Sequence, residues 1–292
     1  MTRRYPIPTR RTVPRHVYAP PPRRARANVA ALAALACLVL LTVAALAAPL
    51  LTPYDPQQMS PEEQFQAPSA RHLLGTDLFG RDVAARILYG GRISLGIGLV
   101  AVLFAAVPGT ALGLIAGYYG RWPDRLIGWL VDVMLSFPSI LLALTIVAAL
   151  GPGIANVAVA VGIAGIPTYT RLVRGQVLSA RRQPYVRAAV TVGARDVRIL
   201  LRHILPNVFG PIVVLATLDV GWAILNASAL SFLGLGAQPP TAEWGAMLNE
   251  GRGYLRSAPW VTFAPGLAIA LAVLAVNLVG DYLRDAVDPR RR

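Results

Sequence analysis

The sequence predicts an all-α, polytopic membrane protein with six transmembrane helices, on three observations: an apolar excess, six long apolar blocks, and loops whose basic charge falls on alternate sides. Hydrophobic residues make up 55% of the 292 and charged residues 14%, with a mean hydropathy of +0.54, a balance outside the range of soluble globular domains. A formal net charge of +14 would suit nucleic acid. The arginines, however, gather at the two ends and in one central segment, without an interleaved aromatic face, so no nucleic-acid partner is expected. Lysine does not occur. A phosphate-binding loop places a lysine on the β- and γ-phosphates, so the chain carries no ordinary ATPase site.

Taken in order, residues 1–28 hold eight arginines, many prolines and no acid, the composition of a disordered basic arm. The apolar block 29–51 is long enough to cross a hydrocarbon core of about 30 Å. A cleavable signal peptide is the rival reading, but its apolar core runs to about 7–15 residues only. Cys37, the single cysteine, reads as a small buried hydrophobe. Residues 52–92 are polar and acid-rich and form the first outer connection. The block 93–283 is then a five-helix core. Its first span, Ile93 to Tyr119, carries Gly109, Gly113 and Gly117, a spacing that admits a neighbouring helix close to the backbone. The neighbour is either a helix of this chain or one of a partner. Leu126 to Leu150 is the next span, interrupted by Asp132 and Pro138, and the turn Gly151-Pro152-Gly153 leads into the fourth. Residues 284–292 form a basic tail. Loops rich in arginine stay in the cytoplasm. One alternation puts the arm, the Arg121/Arg125 loop, the central segment and the tail on that side, so both termini are expected to be cytoplasmic.

The central segment, residues 171–207, is the polar interruption that organises the rest. Pro184 and Tyr185 open a short helix through Arg187, Ala188 and Ala189, and Gly193 is placed to end it. Val197, Leu200, Leu201 and Ile204 recur at helical spacing, with arginines opposite, until Pro206 is expected to close a second helix. The result is a helix-turn-helix finger outside the membrane. A solvated basic loop on anionic lipid is the plainer alternative, and it leaves the turn chemistry unexplained.

Two acids fall in the apolar blocks. Charges at membrane depth face a water-filled cavity or a partner, so Asp219, with Asn226 nearby, and Asp132 are candidate pore-lining residues. Asp132 also lies close enough to Arg125 to belong to the cytoplasmic end. Asp219 suits either a free amine of a solute or a polar group of a partner. His16, His72 and His203 are kept apart by topology, and neither a catalytic signature nor a metal or cofactor site is present to assign.

With the finger placed, the chain resembles the permease subunits of bacterial ATP-binding-cassette (ABC) importers, in the dipeptide/oligopeptide/nickel branch. The family signature falls on Arg187-Ala188-Ala189, on Gly193 and on Leu205-Pro206, and the branch words include Leu74-Gly75-Thr76-Asp77, Gly80-Arg81-Asp82, Arg202 to Asn207, Leu230 to Gly236, Trp244-Gly245 and Asn277 to Asp281. Two departures are Arg187, where relatives often have glutamate, and Ala227, where many have an acid. The resemblance implies a non-catalytic subunit in the bacterial cell membrane that makes half of a pore for di- or oligopeptides. Its implied partners are a second permease subunit, most simply in a heterodimer, two ABC ATPase subunits, an extracytoplasmic substrate-binding protein, the peptide and the lipid bilayer. The finger becomes the coupling element, with Tyr185, Arg187, Ala188, Ala189, Gly193, His203, Leu205 and Pro206 on the ATPase side. A nickel or other small-solute importer is the alternative within the class, and an ion-driven secondary carrier the alternative outside it; the sequence shows no repeated halves of the kind such carriers often have.

Overall fold

A computed structural model describes residues 24–287. Most of the predicted arm, and the last five residues of the predicted tail, lie outside the described residues. Apart from an isolated antiparallel bridge between Thr76 and Asp82, the regular structure of the described residues is helical. The helices are α1 (Arg24–Leu46), α2 (Ala48–Leu51), α3 (Val83–Tyr119), α4 (Arg121–Leu135), α5 (Ser139–Leu150), α6 (Ile154–Ala180), α7 (Pro184–Thr191), α8 (Asp196–Ile199), α9 (Leu205–Phe232), α10 (Trp244–Gly251) and α11 (Trp260–Val287). Among the described residues, five helical stretches are long and apolar enough to cross a membrane, and α4 with α5, bent by 92° at a short break, add a sixth when the pair is taken as one span.

Several predicted boundaries move. The first helix starts at Arg24, inside the predicted arm, and its membrane-length apolar stretch at Val29. The second span starts at Val83 rather than Ile93, because Asp82 caps it by accepting the Ala85 amide at 2.7 Å, a bond that satisfies one of the free donors of the first turn. Arg86 and Arg92 in its first turns had masked this start. Pro206 does not close the second finger helix. Leu200–Ile204 is a π-helical turn in which the Leu205 amide reaches back to the Leu200 carbonyl, and the chain continues from Asp196 to Phe232 as one span. A proline ring clashes with the carbonyl four residues back in regular α-helix. Pro206 stands in the first turn of α9, where the wider turn before it has already opened the ladder.

The core forms around α3 and α6. A Cβ built on Gly109, Gly113 or Gly117 would lie 2.6–2.7 Å from the Cβ of Tyr169, Val173 or Val177, well inside contact distance. The glycine ladder is therefore a seam within this chain, which decides between the two readings of its spacing. Gly162 and Gly165 of α6 repay the approach, meeting Phe104 and Ala105 of α3. Outside this seam α1 and α3 expose Leu32, Val39, Leu40, Leu99, Leu103 and Val107, as bilayer or partner surfaces do.

Candidate functional site

The finger grows from the end of α6. Pro184 occupies the first turn of α7, where its missing N–H costs nothing. Val186 and Ala189 face inward and join Val173, Val177, Ile199, Leu200 and Ile204 in one buried cluster. The turn after α7 is closed by two hydrogen bonds: the Ala194 amide donates to the Ala189 carbonyl at 3.1 Å, and the Gly193 amide to the Val190 carbonyl at 3.0 Å. This pairing places the residue after the helix in the left-handed region, and Gly193 has φ +78°. Tyr118, at the end of α3, donates its hydroxyl to Asp196 at 2.8 Å and so pins the second leg to the body.

The outer surface of this finger is apolar and basic together. Tyr185, Val190, Val192, Val197 and Leu201 are exposed, Val192 by 81%. Arg187 and Ala188 are exposed beside them, while Ala189 is buried, Leu205 and His203 are half-buried and Pro206 is exposed. Arg181, Arg182 and Arg187 line a cavity of about 710 Å³ between α7 and the ends of α3 and α6. The exposed aliphatic side chains are left over after the projection's own core is filled.

The acids of the membrane segments behave differently from one another. Asp132 bonds Arg171 of α6 at 2.6 Å, with both side chains exposed. Asp124 holds Arg174 through two bonds of 2.5 and 2.8 Å. These pairs brace α4 against α6, and Asp132 carries its own cation there. Asn226 is buried and donates to the Trp222 carbonyl at 2.9 Å. Asp219 instead opens, with Trp222, on a cavity of about 250 Å³ between α6, α9 and the α4–α5 elbow.

A third assembly went unread as a site in the sequence, where it appeared as a polar connection. Arg81, fully buried, bonds Asp77 at 2.7 Å and Glu250 at 2.6 Å. Arg86 reaches the same Glu250 at 3.1 Å and stands 3.5 Å from Asp77. His72 Nδ1 and Asp82 are 2.9 Å apart beside them. Glu243 caps α10 by accepting the Gly245 and Ala246 amides at 3.0 and 2.9 Å, and Ser94 donates to it at 3.0 Å. Trp244 Nε1 donates to the Ile87 carbonyl at 3.0 Å. The segment between α2 and α3 is thus fastened to α3 and α10 as a rigid platform. The alternating signs of Asp77, Arg81, Asp82 and Arg86 were the available signal.

A family model described as "Binding-protein-dependent transport system inner membrane component" matches residues 109–292, and one described as "N-terminal TM domain of oligopeptide transport permease C" matches residues 23–68. The "Dipeptide transport system permease protein DppC" of Alkalihalophilus pseudofirmus is 49% identical over 270 residues, covering 92% of this chain and 89% of that protein. The "Glutathione transport system permease protein GsiD" of Pectobacterium atrosepticum is 50% identical over 266 residues, covering 91% and 88%. Among solved structures, an inward-facing MetNI methionine ABC transporter chain aligns with a TM-score of 0.54 at 18% identity, over 70% of this chain and 96% of that one, a likeness of fold.

Proposed function

Because the chain belongs to the binding-protein-dependent transport system inner membrane components, the membrane-spanning permease subunits of ABC importers, we propose that it forms half of a peptide pore driven through its finger by separate ATPase subunits. The permease pairs with a second, distinct permease subunit. Two ATPases dock from the cytoplasm, and a substrate-binding protein seats on the outer platform built around Arg81 and Glu250. The arm, the finger and the tail are cytoplasmic, following the arginine distribution. The names of the relatives, a dipeptide and a glutathione permease, favour a peptide cargo over nickel.

The observation that carries this reading is the exposed apolar tip of the finger. A chain without a lysine has no ordinary nucleotide site of its own, so the energy for uphill transport enters through a contact. Val192 and Leu201 supply dehydrated area to that contact. Tyr185, Arg187 and Ala188 surround it, while Ala189, Gly193, His203, Leu205 and Pro206 set the shape of the finger. Catalysis belongs to the partner subunits.

The double variant Val192→Asp/Leu201→Asp tests it. Both side chains are exposed, so folding is little affected, whereas two buried contacts at an interface are each worth about 1–2 kcal/mol. Retention of the ATPase by the purified permease should fall by about 30-fold to 1,000-fold. Unchanged retention, at parental levels in the membrane, refutes the finger as the docking element.

A further inference from the structure

We propose that the cavity at Asp219 binds the ammonium group of the solute in transit, an assignment that rests on the peptide-pore reading above and names the chemistry of one station along it. Asp219 is the fifteenth of the 28 residues of α9, about 20 Å from either end at the helical rise. A carboxylate at such depth needs a cation, water or a set of donors. Asp124 and Asp132 have arginines; among the described residues, Asp219 has no basic side chain at ion-pair distance.

Its surroundings suit a small cation with a polar end. Neither arginine nor histidine lines the cavity, which takes in Ser139 and Thr168 together with Trp222 and Phe137. The enclosed hydroxyl of Tyr169 lies beside Asp219. An ammonium placed there gains a charge-assisted hydrogen bond to the carboxylate, further acceptors in the hydroxyls of Ser139 and Thr168, and the face of an indole, which attracts cations. An anionic head group would meet a carboxylate instead and is repelled. The volume of about 250 Å³ is that of about eight waters at about 30 Å³ each, room for the leading residue of a peptide and not for a whole chain. The elbow between α4 and α5 forms one wall, so a solute that reaches Asp219 touches the place where the broken span changes direction.

The experiment uses the assembled transporter with Cys37→Ala and a reporter thiol at Ser139→Cys, repeated with Thr168→Cys in case the first fails to assemble. Its modification rates by a cationic aminoethyl and an anionic sulfonatoethyl methanethiosulfonate are compared with Asp219 intact and with Asp219→Asn. We expect the cationic reagent to lead by about tenfold more with Asp219 than with Asn, and alanyl-alanine to protect the thiol where N-acetyl-alanyl-alanine does not. An unchanged ratio overturns the proposal. So does protection by sodium ion alone, which would mean a metal-ion site, or no reaction with either reagent, which would mean that the partner permease fills the cavity. ATP-driven uptake by the parent is measured separately. If uptake fails, the importer reading falls whatever the labelling shows; if uptake holds and the ratio does not move, only the ammonium site falls.

Discussion

Glu250→Gln should loosen the platform built around Arg81 by about 3 kcal/mol. Asp77 and Glu250 face Arg81 and Arg86, two charges of each sign in one cluster, with Arg81 and Arg86 at 0% and 1% exposure. Glutamine keeps the shape and one acceptor but removes a charge, leaving two guanidiniums to share Asp77. Breaking a buried ion pair by removing one partner costs about 3–5 kcal/mol, and the retained acceptor and partial exposure of Glu250 set the lower end. At about 1.4 kcal/mol per decade, the population with residues 52–82 detached rises about 100-fold. Proteolysis of a briefly opened segment follows that population when reclosing is fast. The assay is the rate of protease cleavage within 52–82 in purified, bilayer-embedded protein, with Arg71→Ala as the control. Arg71 pairs with Glu63 at 2.7 Å but its side chain is 68% exposed, so its loss is worth at most about 1 kcal/mol. The double variant Glu250→Gln/Arg86→Gln, which removes one charge of each sign, should recover part of the loss. A single variant cleaved within threefold of the parent would refute the view that this network fastens the segment.

Two further substitutions, each with its control, separate backbone from packing effects. Gly193→Val meets no neighbour within 4 Å, so its penalty is the left-handed backbone alone, about 1–2 kcal/mol; it should enter the membrane normally and lose ATP-driven uptake, while Gly193→Asn, a residue that tolerates this region, keeps most of it. Gly113→Val brings a Cβ to 2.7 Å from Val173 and 2.8 Å from the Thr170 carbonyl, an overpacking worth about 1–3 kcal/mol that should lower the thermal midpoint in detergent, whereas Gly96→Ala on the same helix, with open space around it, should not.

Hydropathy and turn chemistry carried the spans, the finger and its glycine stop, because those signals are local. Pro184 and Gly193 announce a helix start and end within ten residues of each other. The outer network was illegible for the opposite reason. Arg86 and Glu250 are 164 residues apart, and no period in either segment marks them as partners. Pro206 misled because proline stops a regular helix, and nothing local reveals a π-helical turn that accommodates it. The glycine ladder revealed a close approach without its partner, since spacing says how near a helix comes and not which one. Pro138 marked a break in the third span, but its 92° bend depends on what α4 and α5 pack against. For Asp132 the sequence offered Arg125 as the nearby cation, whereas its ion-pair partner in the structure is Arg171, on a different helix.

The uninterrupted run from Asp196 to Phe232 has a mechanical consequence. The base of the finger and Asp219 sit on one shaft, with 19 rises of about 1.5 Å, or about 28 Å, between Leu200 and the carboxylate-bearing residue. If the shaft stays stiff, a tilt of about 10° at its foot sweeps Asp219 sideways by about 5 Å. That displacement exceeds the reach of a hydrogen bond, so a modest rock at the finger is enough to make or lose a contact at Asp219 without any helix unwinding.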